Sequence, residues 1–136
     1  MDKKIEKVGV TACTGINDIN GSIARMAIYK VLEELNPKDT VLICLPALAA
    51  EVEEDVDFVR DYPAIILDGC EKKCAEKVFT KFKSNIIGIY NVDEYRKKHP
   101  ELKPLSILDI EPDGEKLASL IAQDISKKVS EVVKND

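Results

Sequence analysis

Residues 64–75 read AIILDGCEKKCA: four apolar residues, an Asp-Gly turn, then Cys70 and Cys74 on either side of a charged tripeptide. A short apolar run closed by a turn signal fits a strand covered on both faces, and such strands belong to parallel sheets. Working outward, Ala64 to Leu67 is one of several such runs. Ile5 to Ala12 (IEKVGVTA), Thr40 to Leu45 (TVLICL) and Asn85 to Tyr90 (NIIGIY) carry the same signal, and Leu105 to Ile110 (LSILDI) carries a shorter one.

Helical patterns separate these runs. After a TGINDIN loop, with Asn20, Gly21 and Ser22 as caps, Ile23, Met26, Ala27, Val31, Leu32 and Leu35 recur at helical spacing. Pro46 to Arg60 is a mixed, mainly helical segment broken at DYP. Glu71 to Phe82 forms a short helix with Val78, Phe79 and Phe82 inward, and Val92 to Lys98 another, ending at HPELKP. Asp113 caps a long final helix whose Leu117, Leu120, Ile121, Ile125, Val129 and Val132 make one apolar stripe. This alternation predicts a three-layer, doubly wound α/β fold of about five mainly parallel strands, with the flavodoxin-like order 2-1-3-4-5. The 136 residues suit one domain spanning 1–136.

Composition narrows the partners. With 45% hydrophobic and 33% charged residues the chain reads as an ordinary globular protein. A net charge of -5, with both signs interspersed, argues against nucleic acid, which needs a concentrated cationic face. The charged N-terminus MDKKIEKVGV has no secretory core, and no apolar run approaches the ~20 residues of a spanning helix, so neither secretion nor a membrane is expected. A cytoplasmic setting follows, where thiols stay reduced and cysteine clusters serve metals or redox chemistry.

The four cysteines then become the centre of interest. Cys13 follows the first strand, Cys44 is near the end of the second, and Cys70 and Cys74 follow the third. Parallel strands share one C-terminal edge, where open α/β folds place ligands. All four thiols should therefore meet there, in a set that suits zinc held tetrahedrally at ~2.3 Å, with C-x3-C a usual ligand spacing. Gly69 would allow a sharp turn, and the helix start would favour thiolates. The same four cysteines would also serve an iron–sulfur cluster, or cycle in thiol-redox or sulfur-transfer chemistry. As packing alone, Cys44 inside VLICLP could be core.

The ordered set ACTG, ICL and LDGCEKKCA resembles the DGC-domain family of zinc-binding proteins. Asp68-Gly69-Cys70 stands for the motif that names it. Cys13 with Gly15, Cys44 with Leu45, and Cys74 with Ala75 complete the pattern over roughly residues 7 to 100. The resemblance implies an α/β zinc protein and supplies no reaction. Family descriptions also invoke histidines, whereas His99 is the only one here.

Around the cysteines, Gly15, Asn17, Asp68, Gly69 and Asn91 are candidates for the supporting shell or pocket. Asp68 either orients a ligand or caps the following backbone. Asn17, Asp18 and Asn20 read as turn and capping residues. Tyr90 and Asn91 end the fourth strand on the same edge. His99, before Pro100, reads as a surface residue. TGINDINGS lacks both glycine-rich phosphate motifs. Ile19 also stands where a phosphatase loop beginning at Cys13 would need its arginine, so phosphoryl chemistry is rejected. The expected partners are a metal ion and a protein that exchanges metal or sulfur with this one.

Overall fold

The computed structural model describes residues 7–134, so Ile5 and Glu6 of the expected first strand lie outside the described residues. The elements are β1 (Val8–Ala12), α1 (Ile19–Lys30) with a π-helical extension (Val31–Leu35), β2 (Thr40–Leu42), α2 (Leu45–Ala49) and α3 (Glu53–Asp61). They continue with β3 (Ala64–Asp68), α4 (Cys74–Lys81), β4 (Ile86–Asn91), α5 (Val92–Lys98) and α6 (Asp113–Lys134). The four strands form one parallel sheet in the order β2-β1-β3-β4.

The AIIL run explains the layering. Ile65 and Leu67 pack with α1 and α6, through Ile23, Ala27, Leu117, Ile121 and Ile125. Ala64 and Ile66 point the other way, to Leu48, Val59, Ala75 and Phe79 of α2, α3 and α4. Successive side chains of a strand alternate faces, so a strand buried on both sides must be apolar throughout. In α6 the expected stripe is largely realised: Leu117, Ile121, Ile125 and Val129 are buried, while Leu120 and Val132 are only half-buried.

The fifth strand is not present among the described residues, and the order 2-1-3-4-5 stops at four. Residues 105–110 turn instead of extending. The Ser106 hydroxyl accepts from the N–H groups of Leu108 and Asp109, at 3.2 and 3.4 Å, which takes those donors away from any ladder. The segment lies along α1, where Ser22 donates to the Ile107 carbonyl and Ile110 is buried. Leu105 and Leu108 are left 92% and 99% exposed, so the alternation that suggested a strand faces water.

Smaller corrections follow the same physics. Strand β2 ends at Leu42, and Cys44 is the N-cap of α2 rather than a strand residue. Helix α1 begins before the expected caps: Asp18 is its N-cap and accepts from the N–H of Asn20. Helix α4 starts at Cys74, three residues later than expected at Glu71. Asp113 opens α6, and its carboxylate accepts from the Lys103 N–H. No helix of the described residues is long and apolar enough to cross a membrane.

Helix α5 is tied to α6 by the Tyr95 hydroxyl, which donates to Asp124 at 2.6 Å. Burial, then that bond, pushes the Tyr95 phenol up from its ordinary value, and burial raises Tyr90 as well. A phenol held protonated in the fold contributes stability that is complete below the ordinary value of about 10 and falls as pH rises beyond it. Tyr95→Phe should therefore cost about 1 kcal/mol near neutral pH and flatten the alkaline loss of stability. Urea unfolding at neutral and alkaline pH would check both.

Candidate functional site

The sheet register sets the cysteines. Leu42 of β2 pairs with Val10 of β1, Ala12 of β1 with Leu67 of β3, and Asp68 of β3 with Asn91 of β4. Cys13, Cys44 and Cys70 each stand just past the C-terminal end of a strand, and Cys74 opens the helix that follows Cys70. The Cys13 N–H continues the ladder to the Leu67 carbonyl at 2.8 Å. Its sulfur accepts from the Gly15 N–H at 3.3 Å. Cys13 and Cys44 line one cleft of about 370 Å³ between β1, β2 and α1.

The sulfurs do not form one compact cage. Among the described residues, no three His, Cys, Asp or Glu side chains converge closely enough to hold a metal ion. The reason lies in the loops. Cys44 is exposed because the chain turns into α2 there, and Cys74 is exposed on the first turn of α4. Cys13 and Cys70 are half-buried. All four are free thiols. Cys44 is thus not a core residue.

The Asp-Gly-Cys turn is held by polar bonds that draw on five elements: α1, β3, α4, β4 and α5. Asp68, 1% exposed, accepts from the N–H groups of Ala75 at 2.8 Å and Glu76 at 3.2 Å, so it caps α4 from the end of β3. Burial pushes its carboxyl up from the ordinary range, against the pull of those two donors. The Asn20 amide donates to the Gly69 carbonyl at 2.7 Å and to Asp93 at 2.8 Å, while its oxygen accepts from Arg96 at 2.8 Å. Asn91 donates to the Cys70 carbonyl at 2.9 Å and accepts from the Asp93 N–H.

Glycine matters here through close approach. A Cβ on Gly69 would meet the Asn20 side chain at 3.3 Å, and one on Gly21 would meet the Gly15 carbonyl oxygen at 1.9 Å. Gly69 does not adopt a positive φ. The left-handed residue of this turn is Lys73, at φ 53°, immediately before α4.

Asp68, Gly69 and Asn91 are therefore part of the turn's framework, as backbone holders and close-packed backbone. Gly15 touches the Cys13 sulfur, Asn17 is exposed in the bend before α1, and Tyr90 packs against the core. His99 is not at this edge. It ends α5, half-buried, 3.5 Å from the Glu101 carboxylate, in a cleft of about 600 Å³ bordered by α6. That cleft is the larger, but it has no thiol and is walled by charged residues such as Glu111, Glu115 and Lys116.

Sequence reasoning missed Asn20, Asp93 and Arg96. The bonds of Asn20 span 49, 73 and 76 residues, and no local spacing announces them. Only the position of Asn20, next to a strand-end loop, hints at such a role.

A family model for the DGC domain matches residues 9–111, a span that holds all four cysteines and the Asn20 network. The chain belongs to the DGC-domain family. No curated protein and no solved structure matches it. Helix α6 lies beyond the matched span of this DGC domain, although it supplies Leu117, Ile121 and Ile125 to the core.

Proposed function

We propose that this DGC domain binds zinc through Cys13, Cys44, Cys70 and Cys74 and serves in metal handling, sensing or transfer. The observation that carries the reading is placement: every cysteine of the chain stands past a strand end on one sheet edge. Four sulfurs suit a borderline ion in number and type. The fit requires adjustment, since the sulfurs are not yet within one coordination sphere. Cys44 and Cys74 are the exposed members, at the N-cap of α2 and on the first turn of α4. Cys70 is the anchored one, with its carbonyl held by Asn91. Binding would then draw the loops after the three strands together.

A bound zinc would cross-link the loops after three strands. Coordination closed by four sulfurs has no open position for water, which favours handling over hydrolysis. A site that closes only on binding also suits exchange with a protein partner, because exposed thiols are open to ligand-by-ligand transfer. A reducing compartment such as the cytoplasm would keep the ligands competent.

The test is anaerobic purification under reducing conditions, followed by elemental analysis and visible absorption. The expected result is a colourless protein with one zinc per chain. A brown protein with stoichiometric iron and sulfide would replace zinc by an iron–sulfur cluster. A metal-free protein whose Cys70→Ser variant lost thiol–disulfide exchange would replace both with redox or sulfur-transfer chemistry.

A further inference from the structure

The cleft beside Cys13 and Cys44 has features that a metal site does not need. Its floor is apolar, with Ile28, Ile43 and Leu45 buried beneath it. Its rim carries apolar side chains as well, where Ile16 is 91% exposed, Ile107 46% and Leu42 41%. The volume, about 370 Å³, is within the range of small-molecule sites. Residues 105–110 lie along α1 beside it, fixed by the Ser22 bond to Ile107.

Charge is the telling feature. The chain has 25 acidic and 20 basic residues, yet among the described residues no carboxylate lines this cleft. One cation does: Arg25. Its guanidinium lies over the Tyr29 ring, 5.1 Å from the centroid, which fixes its direction at the rim. Among the described residues no carboxylate is within 4.0 Å of it. The hydroxyls of Thr11 and Ser22 already donate to the carbonyls of Ile43 and Ile107. A bound polar group would therefore find a charged donor fork in Arg25, with the Thr14 and Tyr29 hydroxyls and the thiols of Cys13 and Cys44 also on the lining, and apolar side chains on the floor and rim.

We propose that this cleft binds a small organic anion with an apolar body, its acid group on Arg25 and its body between Ile28, Ile43 and Ile107. A guanidinium with no carboxylate beside it among the described residues favours a carboxylate or a similar planar acid, through charge-assisted hydrogen bonds. The apolar side chains of the floor and rim select the body. The site does not depend on metal. Its ligand would nevertheless lie against Cys13 and Cys44, so occupancy of one would be felt at the other.

The probe is sodium octanoate, added to the full chain kept reduced and metal-free, with amide chemical shifts followed by NMR. Metal binding is absent from this assay, so its outcome is independent of the zinc reading. Saturable shifts are expected at Gly15, Gly21 and Ile107. Octylammonium, with the same tail and the opposite charge, should bind at least about tenfold more weakly. Arg25→Gln, at an exposed position where the fold should tolerate it, should weaken octanoate by about tenfold or more. Equal binding of the two probes, unchanged affinity in Arg25→Gln, or shifts confined to another face would each overturn the proposal.

Discussion

Replacing Asn20 by alanine should destabilise the fold by about 2–4 kcal/mol, more than the loss of an ordinary hydrogen bond. The side chain is 3% exposed and makes three bonds, two of them to the charged groups of Asp93 and Arg96. Alanine would leave the Gly69 carbonyl without its amide donor and set Asp93 and Arg96 without their bridge. Loss should be local as well as global, because the bond to Gly69 ties the Asp-Gly-Cys turn to the start of α1. Hydrogen exchange should therefore quicken across residues 69–75 before the rest of the sheet. Asn20→Asp is the informative companion. It keeps an acceptor for Arg96, loses both donated bonds and faces Asp93 with a like charge, so it should be no better than alanine. A cost below about 1 kcal/mol, within the range of a single bond, would mean that the turn is held by Asn91 and Asp68 alone.

The second large effect concerns the thiols. Serine at any of positions 13, 44, 70 or 74 should lower zinc affinity by at least about a hundredfold, beyond the 10–100-fold that losing an outer partner costs. The fold should survive each change. Two buried clusters, one on each face of the sheet, hold the strands without any ion. This sets the domain apart from small zinc modules, whose metal supplies ~10–16 kcal/mol in apparent binding energy and which unfold without it. Chelation should accordingly raise mobility in residues 14–20, 46–50 and 69–75 and leave far-UV circular dichroism nearly unchanged. Global unfolding on chelation would make the ion a structural staple and remove the case for transfer.

Much of this was legible in the chain. The AIIL run announced a strand buried on both faces, and the alternation of apolar runs with helical stripes announced a parallel sheet covered on two sides. The family pattern was readable too, since ACTG, ICL and DGC-x3-CA are contiguous strings. What escaped the sequence depends on contacts between distant residues or on a few backbone bonds. LSILDI has the alternation of a strand, yet one hydroxyl at Ser106 turns it, and burial of Ile110 against α1 and α6 draws it off the sheet edge. TVLICL looked like a strand from Thr40 to Leu45, but β2 is only three residues long and Leu45 and Pro46 already belong to α2. Asn20 looked like a cap because caps are common there; its true partners are reached only after the chain has folded. The four cysteines and the Asp-Gly-Cys string were thus readable in the chain, and their geometry was not.

X-ray absorption at the zinc edge of the zinc-loaded protein tests the central claim most directly, since it counts the ligands. Four sulfur scatterers at ~2.3 Å, with one lost on replacing any single cysteine by serine, is the predicted result. A shell of two sulfurs completed by nitrogen or oxygen, unchanged when Cys44 or Cys74 is replaced, would contradict it.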